Sequence, residues 1–330
     1  MSEYPNSTSH SSAPREFSFL KASLAGNETV APPVLVATQA TWVGPGMLRL
    51  EPESPRSLPA VVISVGVHGD EIVPIRLVDR WLNQCVAEGL PINRPMLILM
   101  ANPLAVAESV RLIEHNMNRL FAAETHGQDD LEKQRASRLM AAVQEFVSTH
   151  PEGMHFDLHS TIKPSDRDRF ALVPPACADR NLEPLMHWFR RMSVDAWVQN
   201  TSPAATFSNF SAQMGYLSAT VEVGQVTGPD QPLDRFLPLV TELAALAAGD
   251  ERPGDHDTRE FQVLSEIVRP DDAFEVLLDD FVNFRPLTAG TVLARNNERE
   301  WTIEQDGDAL LFLNANVPVG HRVALVVRPV

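Results

Sequence analysis

The chain has 330 residues, of which 44% are hydrophobic, and its 43 acidic and 27 basic residues give a formal net charge of -16. The hydrophobic content excludes a disordered chain. The excess of acidic residues argues against nucleic acid or an anionic membrane surface as a partner.

Two features of the sequence predict a cytoplasmic protein. Cys85 and Cys177 lie far apart, each in an apolar stretch, which indicates buried thiols in a reducing compartment rather than a disulfide framework. The first residues, MSEYPNSTSHSSAPREF, lack the apolar segment of a signal peptide. No apolar run reaches the roughly 18 residues that a membrane span needs, so we expect no membrane association.

Strand and helix patterns alternate between residues 58 and 250, after a Ser/Pro-rich N-terminal segment, residues 1–16, that we predict to be mobile. The predicted strands are 60–67, 95–101, 155–160, 169–174 and 218–226. The predicted helices are 72–87, 129–149, 179–192 and 232–248. Several of the strands are continuous apolar runs, which is typical of strands covered on both faces. The alternation predicts an α/β domain over residues 17–250, with helices on both faces of the sheet.

A charged segment broken by proline and glycine, residues 249–260, separates this domain from the rest of the chain. Beyond it, short alternating segments with turn residues predict a small all-β module over residues 256–330. The first strand is not followed by G-x-G-x-x-G, and the chain has no Walker motif. A nucleotide-binding function therefore lacks its usual fingerprint.

The stretch SVGVHGDEIVP, residues 64–74, places a histidine and a carboxylate where a strand turns into a helix. Positions three apart on the first turn of a helix share a face, so we expect His68 and Glu71 to reach one point. Open α/β sheets bind ligands at the carboxyl ends of their strands, and a nitrogen with a carboxylate is a zinc ligand pair.

A second apolar strand, HFDLHS, residues 155–160, also ends in histidine. His159 is the predicted third ligand, and Asp157, on the same face of the strand, is placed to orient a ligand. His155 competes for the ligand role, although it lies deeper in the strand. Two histidines and a glutamate leave one metal position open, which is the pattern of catalytic rather than structural zinc sites.

Two further segments carry polar residues suited to hydrolysis. RLIEHNMNRLF, residues 111–121, contains Arg111, Asn118 and Arg119, and arginine binds carboxylates in a bidentate manner; we interpret His115 between them as structural or peripheral. SATVEVGQV, residues 218–226, contains one acid in an apolar strand, Glu222. A buried glutamate is costly unless it is paired or functional, so Glu222 is a candidate general base.

In order and spacing, HGDE, NPLAVAESVRLIEHNMNRLF, DLHS and TVEVGQV resemble the succinylglutamate desuccinylase/aspartoacylase family. The resemblance covers about residues 60–330, and the desuccinylase branch is the more similar one. It implies a zinc carboxypeptidase-like fold, in which a mixed sheet is flanked by helices and followed by a small C-terminal all-β domain.

The resemblance also assigns roles to residues. It implies one Zn²⁺ per chain, held by His68, Glu71 and His159, with Glu222 as general base, Arg111 beside the oxyanion, and Asn118 and Arg119 as substrate-binding residues. The sequence departs from the family pattern at two positions. Asp70 stands where we expect asparagine, and Lys163, a predicted substrate-binding residue, stands where we expect arginine.

The implied reaction is zinc-dependent hydrolysis of N-succinyl-L-glutamate to succinate and L-glutamate, the last step of arginine succinyltransferase catabolism. The partner is then a small anionic N-acyl amino acid, and the sequence is compatible with a homo-oligomer of unspecified size. Three alternatives stay open: a deacylase of another N-acyl amino acid such as an N-acetyl amino acid, a zinc carboxypeptidase, and a non-enzymatic metal-binding or storage protein. A buried general base argues against the last, because storage needs none.

Overall fold

The computed structural model describes residues 16–26, 30–122, 130–202, 204–228, 230–278 and 280–330. The predicted mobile segment, residues 1–16, lies outside the described residues except for residue 16. The described residues form seven α-helices, which are α1 Phe19–Leu24, α2 Ile72–Glu88, α3 Pro103–Glu108, α4 Leu131–Thr149, α5 Glu183–Arg191, α6 Phe207–Gln213 and α7 Leu237–Ala248.

The strands, in chain order, are β1 Thr38–Gly44, β2 Met47–Pro52, β3 Ala60–Val65, β4 Met96–Met100, β5 Gly153–Thr161, β6 Phe170–Val173, β7 Ala196–Gln199, β8 Leu217–Gln225, β9 Arg259–Val268, β10 Glu275–Val276, β11 Val292–Arg295, β12 Glu300–Thr302, β13 Ala309–Leu311 and β14 Arg322–Pro329. Eleven of them form one sheet in the order β1-β2-β4-β3-β5-β8-β6-β7-β9-β14-β13. The remaining three, β10, β11 and β12, form a separate sheet.

The centre of the large sheet is parallel, since β3 pairs in parallel with both β4 and β5, and β5 pairs in parallel with β8. Successive side chains of a strand point to opposite faces. In β3, Val61, Ile63 and Val65 accordingly join the core beneath α1, α2, α5 and α7, while Ala60 and Val62 join the core beneath α4 and α6. This arrangement confirms the predicted mixed sheet with helices on both faces.

All five predicted strands and all four predicted helices are present, with bounds that differ by a few residues. The apolar stripe that recurs at helical spacing along α2, Ile75, Val78, Leu82 and Cys85, is buried. Cys85 and Cys177 are both buried and unpaired, as predicted. Within the part of the chain that the structure describes, no helix combines the length and apolarity needed to cross a bilayer.

Three of the C-terminal strands belong to the large sheet rather than to a sheet of their own. β9 pairs in parallel with β7, and β14 pairs antiparallel with β9, so three C-terminal strands continue the large sheet. A buried asparagine, Asn283, adds a second connection: its backbone N–H donates to the Pro164 carbonyl at 2.9 Å, and its carbonyl accepts the Asp166 N–H at 2.9 Å. The C-terminal part thereby holds the loop that follows β5.

Candidate active site

Three predicted ligands meet at the carboxyl edge of the parallel strands. His68 lies in the turn after β3, Glu71 is the N-cap residue of α2, and His159 is close to the end of β5. Their ligand atoms lie within 4.8 Å of one another, and all three residues are buried. The Glu71 carboxylate lies between the two imidazoles, with Oε1 2.7 Å from His68 Nδ1 and Oε2 2.9 Å from His159 Nδ1.

The reason predicted for the closeness of His68 and Glu71 was wrong in one respect. The two residues do not share a helical face, because α2 begins only at Ile72. A tight turn brings them together instead, and Gly69 permits it: a Cβ atom there would lie 2.1 Å from the backbone carbon of Ala105 in α3. The turn is also held by a hydrogen bond from the Gly69 N–H to the Arg111 carbonyl at 3.2 Å.

The outer nitrogen of each histidine faces an oxygen acceptor. His68 Nε2 lies 3.2 Å from Asn116 Oδ1, and His159 Nε2 lies 3.1 Å from Asp157 Oδ2. Arg111 Nη2 also lies 3.2 Å from His68 Nε2. With Nε2 donating to the two oxygens, each Nδ1 would be able to bind a metal ion beside Glu71, and such a hydrogen bond to the other ring nitrogen is typical of metal-binding histidines. Asp157 thus occupies the orienting position that its spacing from His159 predicts.

The electrostatics of the cluster favour a charged Glu71. Although burial opposes ionisation, His159 and His68 hold the pKa of Glu71 well below its ordinary value. The pKa of His159 is raised well above its ordinary value, because Asp157 and Glu71 outweigh the effect of burial. The Ser160 backbone N–H also donates to Glu71 Oε2 at 3.1 Å.

His155, the competing histidine, lies apart from this cluster. Its Nε2 is 2.7 Å from Ser64 Oγ and its Nδ1 is 2.6 Å from Ser211 Oγ, so both ring nitrogens already have hydroxyl partners. Burial lowers the pKa of His155 to about 4. The structure therefore brings together His159, rather than His155, with His68 and Glu71.

Glu222 lies on β8, directly beside the metal-ligand candidate of β5. It is the register partner of His159, so the two side chains share a face of the sheet. Its carboxylate is buried, and Oε2 has no hydrogen-bond partner among the described residues. Burial and the like charge of Glu71 raise the pKa of Glu222 to about 8, which is the range expected of a general base.

Arg111 reaches the same cluster from an irregular segment rather than from a helix. Ser109, at φ 54°, ends α3, and residues 109–116 have no helical structure. The Arg111 Nη1 donates to Glu71 Oε1 at 3.0 Å, while 42% of the side chain stays exposed. The guanidinium thus borders both the cluster and the solvent, where a substrate would enter.

Asn118 and Arg119 lie on a one-turn 3-10 helix, Met117–Arg119. Asn118 is buried and its Oδ1 accepts the Phe207 N–H at 3.3 Å, whereas Arg119 is exposed and donates to the Asn118 carbonyl at 2.7 Å. The surrounding protein, together with the like charges of Arg322 and Arg111, lowers the pKa of Arg119. Arg322 and Arg111 therefore each lie close enough to Arg119 to repel its guanidinium.

Family comparison decides how this site is to be interpreted. The model of the succinylglutamate desuccinylase/aspartoacylase catalytic domain matches residues 57–246, and that of the AstE/AspA barrel-sandwich hybrid domain matches residues 256–330. The chain belongs to the succinylglutamate desuccinylase/aspartoacylase family. The resemblance noted in the sequence, and the fold it implies, are thereby confirmed.

Individual members of the family are similar over nearly the whole chain. A succinylglutamate desuccinylase of Burkholderia pseudomallei is 32% identical over 324 residues, covering 94% of this chain and 92% of that protein. The solved succinylglutamate desuccinylase of Vibrio parahaemolyticus is 28% identical with a TM-score of 0.85, covering 96% of each chain. That of Chromobacterium violaceum is 29% identical with a TM-score of 0.82, covering 95% of this chain and 98% of its own.

The two residues that depart from the expected family pattern follow different strands, Asp70 after β3 and Lys163 after β5. Asp70, between Gly69 and Glu71, places Oδ1 3.7 Å from Arg111 Nη1. Lys163 is exposed in the loop after β5 and lines a cavity of about 590 Å³ together with Phe281, Arg285 and Asn314. The predicted substrate residue Lys163 therefore faces the C-terminal part of the chain.

Some residues of the site escaped the sequence prediction. Asn116 contacts His68, and the buried Glu132 of α4 accepts backbone N–H groups of Ile113, Glu114 and His115. The sequence offers one signal for Glu132, since it follows the N-cap Asp130 in the first turn of α4. His115 is mostly exposed and forms an ion pair with Asp130 at 2.7 Å, consistent with the peripheral position predicted for it.

Proposed function

We propose that the chain is a zinc-dependent hydrolase that cleaves N-succinyl-L-glutamate to succinate and L-glutamate, the last step of arginine succinyltransferase catabolism. The observation that carries the proposal is the pairing of a His₂Glu cluster with the unpartnered carboxylate of Glu222 on the adjacent strand. The desuccinylases named above support the choice of substrate, because their similarity extends over almost the entire chain.

The donor set suits one zinc ion per chain. His68, Glu71 and His159 would hold it through two imidazole nitrogens and a carboxylate, which is a ligand set of catalytic zinc. Glu222 Oε2 lies beside them and has no hydrogen-bond partner among the described residues, so it is an acceptor available to a water molecule or a substrate. Zinc bound there supplies Lewis acidity, polarising a carbonyl and making a water molecule more acidic.

Residues of the chain itself transfer the proton, contact the oxyanion and bind the substrate. Glu222, with its raised pKa, takes a proton from the attacking water and delivers it to the leaving amine of glutamate. Arg111 donates hydrogen bonds to the oxyanion that develops on the amide carbonyl, since its guanidinium borders the cluster. Arg119, which has solvent on one side, binds a substrate carboxylate.

Charge near the site supports a substrate with several carboxylates. Arg111, Arg119 and Arg322 lie near one another although the chain as a whole carries a net charge of -16. Arg111 and Arg322 are paired with Glu71 and Glu266, whereas Arg119 donates to a backbone carbonyl. Arg119 is therefore the guanidinium best placed to attract a substrate anion. N-Succinylglutamate carries three carboxylates, whereas an N-acetyl amino acid with a neutral side chain carries one.

The test compares substrates on zinc-loaded protein. We expect turnover of N-succinylglutamate, measured as released glutamate, and much slower turnover of N-acetylaspartate and of a dipeptide with a free C-terminus. Glu222→Gln should bind zinc and lower kcat by about 10²- to 10⁴-fold. If N-acetylaspartate or the dipeptide were cleaved faster, the proposed substrate would be wrong. Undiminished activity of the variant would show that Glu222 has no part in the mechanism.

The metal ligands are tested by zinc stoichiometry in the same preparations. Alanine substitution of His68, Glu71 or His159 should lower bound zinc and activity together. If His159→Ala still bound one zinc tightly while His155→Ala did not, the wrong histidine would have been chosen.

Three broader predictions accompany this function. We infer a cytoplasmic location from the two buried, unpaired thiols. The division into an α/β domain, residues 17–250, and a C-terminal β module, residues 256–330, stays a prediction, and the two family models match on either side of its boundary. A homo-oligomer likewise stays a prediction.

A further inference from the structure

A file of buried polar side chains leads from α6 to His159 on the face of the sheet that carries the site. Ser211 Oγ lies 2.6 Å from His155 Nδ1, His155 Nε2 lies 2.7 Å from Ser64 Oγ, and Ser64 Oγ donates to Asp157 Oδ1 at 2.5 Å. Asp157 Oδ2 then meets His159 Nε2 at 3.1 Å. Every member of the file is buried.

Strand register explains why these side chains align. In the parallel pairing of β3 with β5, Ser64 is the partner of Asp157, so the two point to the same face. His155, Asp157 and His159 occupy every second position of β5, so they share that face as well. α6 packs over it and brings Ser211 within reach of His155.

Each polar group in the file has one consistent proton arrangement. The Asp157 carboxylate only accepts, so the Ser64 hydroxyl must donate its single hydrogen to it. Ser64 Oγ must then accept from His155 Nε2–H. In a neutral imidazole the other nitrogen, Nδ1, is an acceptor. The Ser211 hydroxyl lies 2.6 Å from it, nearer than to Ser218 Oγ at 2.9 Å or to the Ser208 carbonyl at 3.0 Å, and is the donor.

We propose that His155 is a positioning residue, whose Nε2–H tautomer, selected by Ser64 and accommodated at Nδ1 by Ser211, holds Ser64 and Asp157 in place and so directs the Nδ1 lone pair of His159 at the metal. This role rests on the proposed metal site. It gives α6, which supplies no ligand, a part in metal binding. The low pKa of His155 agrees with a neutral ring at neutral pH.

The first test reads the tautomer directly on the full-length, metal-free protein. Long-range ¹H–¹⁵N correlation spectra, assigned with His155→Gln, should show His155 as the neutral Nε2–H tautomer at pH 7. Ser64→Ala should convert it to a mixture of tautomers, because Nε2–H loses its acceptor. A protonated ring, or the Nδ1–H tautomer in the wild-type protein, would overturn the proposal whether or not zinc is the metal.

The second test measures zinc affinity by competition with a chelator. Ser64→Ala should lower the affinity about tenfold, within the range found when partners of metal-binding histidines are removed. Ser64→Thr, which keeps the hydroxyl, should restore much of it. Ser208→Ala is the matched control, because Ser208 is a buried serine of α6 whose hydroxyl pairs with Thr220, 2.8 Å away and outside the file.

The results separate the two proposals. Equal affinities of the wild-type protein, Ser64→Ala and Ser208→Ala would overturn the positioning role while leaving the hydrolase function intact. If the wild-type protein bound no zinc, the proposed function would be wrong. The NMR measurement would still show whether His155 is the neutral Nε2–H tautomer.

Discussion

Glu222 occupies a position that is unfavourable for a carboxylate. It is buried beside the negative Glu71, and both effects raise its pKa from the ordinary 4.5 to about 8. In the folded metal-free protein the group binds its proton more tightly than in the unfolded chain. Folding stability therefore falls as the pH rises from about 4.5 toward 8.

Replacing this carboxylate should stabilise the metal-free protein. Glutamine does not titrate, so Glu222→Gln should have a higher melting temperature than the wild-type protein at pH 7, and the difference should shrink as the pH approaches 4.5. Thermal unfolding followed by circular dichroism across this range measures it. Glu152→Gln, at an exposed glutamate, is the control; a variant with the wild-type melting temperature at pH 7 would show that Glu222 is not strained.

The sequence predicts those residues of the site that lie at or near the carboxyl ends of apolar strands. His68 and His159 follow apolar strands, and parallel neighbours end at the same edge, so their meeting is predictable. Asn116, Ser64 and Ser211 were not found because their contacts depend on how α6, β3 and the segment after α3 pack against one another. Such contacts have no local signature in a single sequence.

At the level of elements, α4 holds the segment that carries Arg111. Glu132, in the first turn of α4, is buried, and its Oε1 accepts the Asn102 side-chain amide at 2.7 Å and the Ile113 N–H at 2.9 Å. Its Oε2 accepts the N–H groups of Glu114 and His115. One carboxylate thus orders an irregular segment that has no helical hydrogen bonds of its own.

Loss of this carboxylate should affect both stability and substrate binding. Glu132→Gln presents an amide N–H₂ to backbone donors and leaves at least one N–H of residues 113–115 without its acceptor. These groups are only partly buried, so the cost is at most the about 1–3 kcal/mol of a buried unsatisfied group. We expect urea unfolding to show that loss and kinetics to show a raised KM, because Arg111 is less well placed. Glu145→Gln, on the exposed face of α4, is the matched control. Unchanged stability and KM would show that the segment orders itself.

Elements with a strong apolar pattern were predicted, even the four-residue β6, whereas α6 and β7 were not. The continuous apolar runs of β3 and β4 identify central strands, and the stripe of α2 identifies a helix. α6, with the sequence FSNFSAQ, lacks such a pattern, and β7 has only four residues. These elements form because the surrounding sheet and helices bury them, which is tertiary information.

For the whole molecule, the sequence predicts strands beyond residue 256 but not where they pair. Alternating short segments indicate antiparallel β structure, and β11, β12, β13 and β14 lie in the predicted segments. Nothing local reveals that β9 adds to β7, because pairing partners distant in sequence are chosen by packing and register. The predicted small module is therefore built partly onto the large sheet.

This shared sheet bears on cooperativity. β9 cannot leave the sheet without exposing the edge of β7 and losing its pairing with β14, and Asn283 ties the same part of the chain to the loop after β5. Calorimetry should accordingly record one transition, with calorimetric and van't Hoff enthalpies in agreement. Two transitions, one for residues 57–246 and one for 256–330, would mean that the hydrogen bonds between β7 and β9 do not couple the halves. If there is a single transition, a substitution that destabilises any C-terminal strand also destabilises the distant part of the sheet that holds His68 and His159.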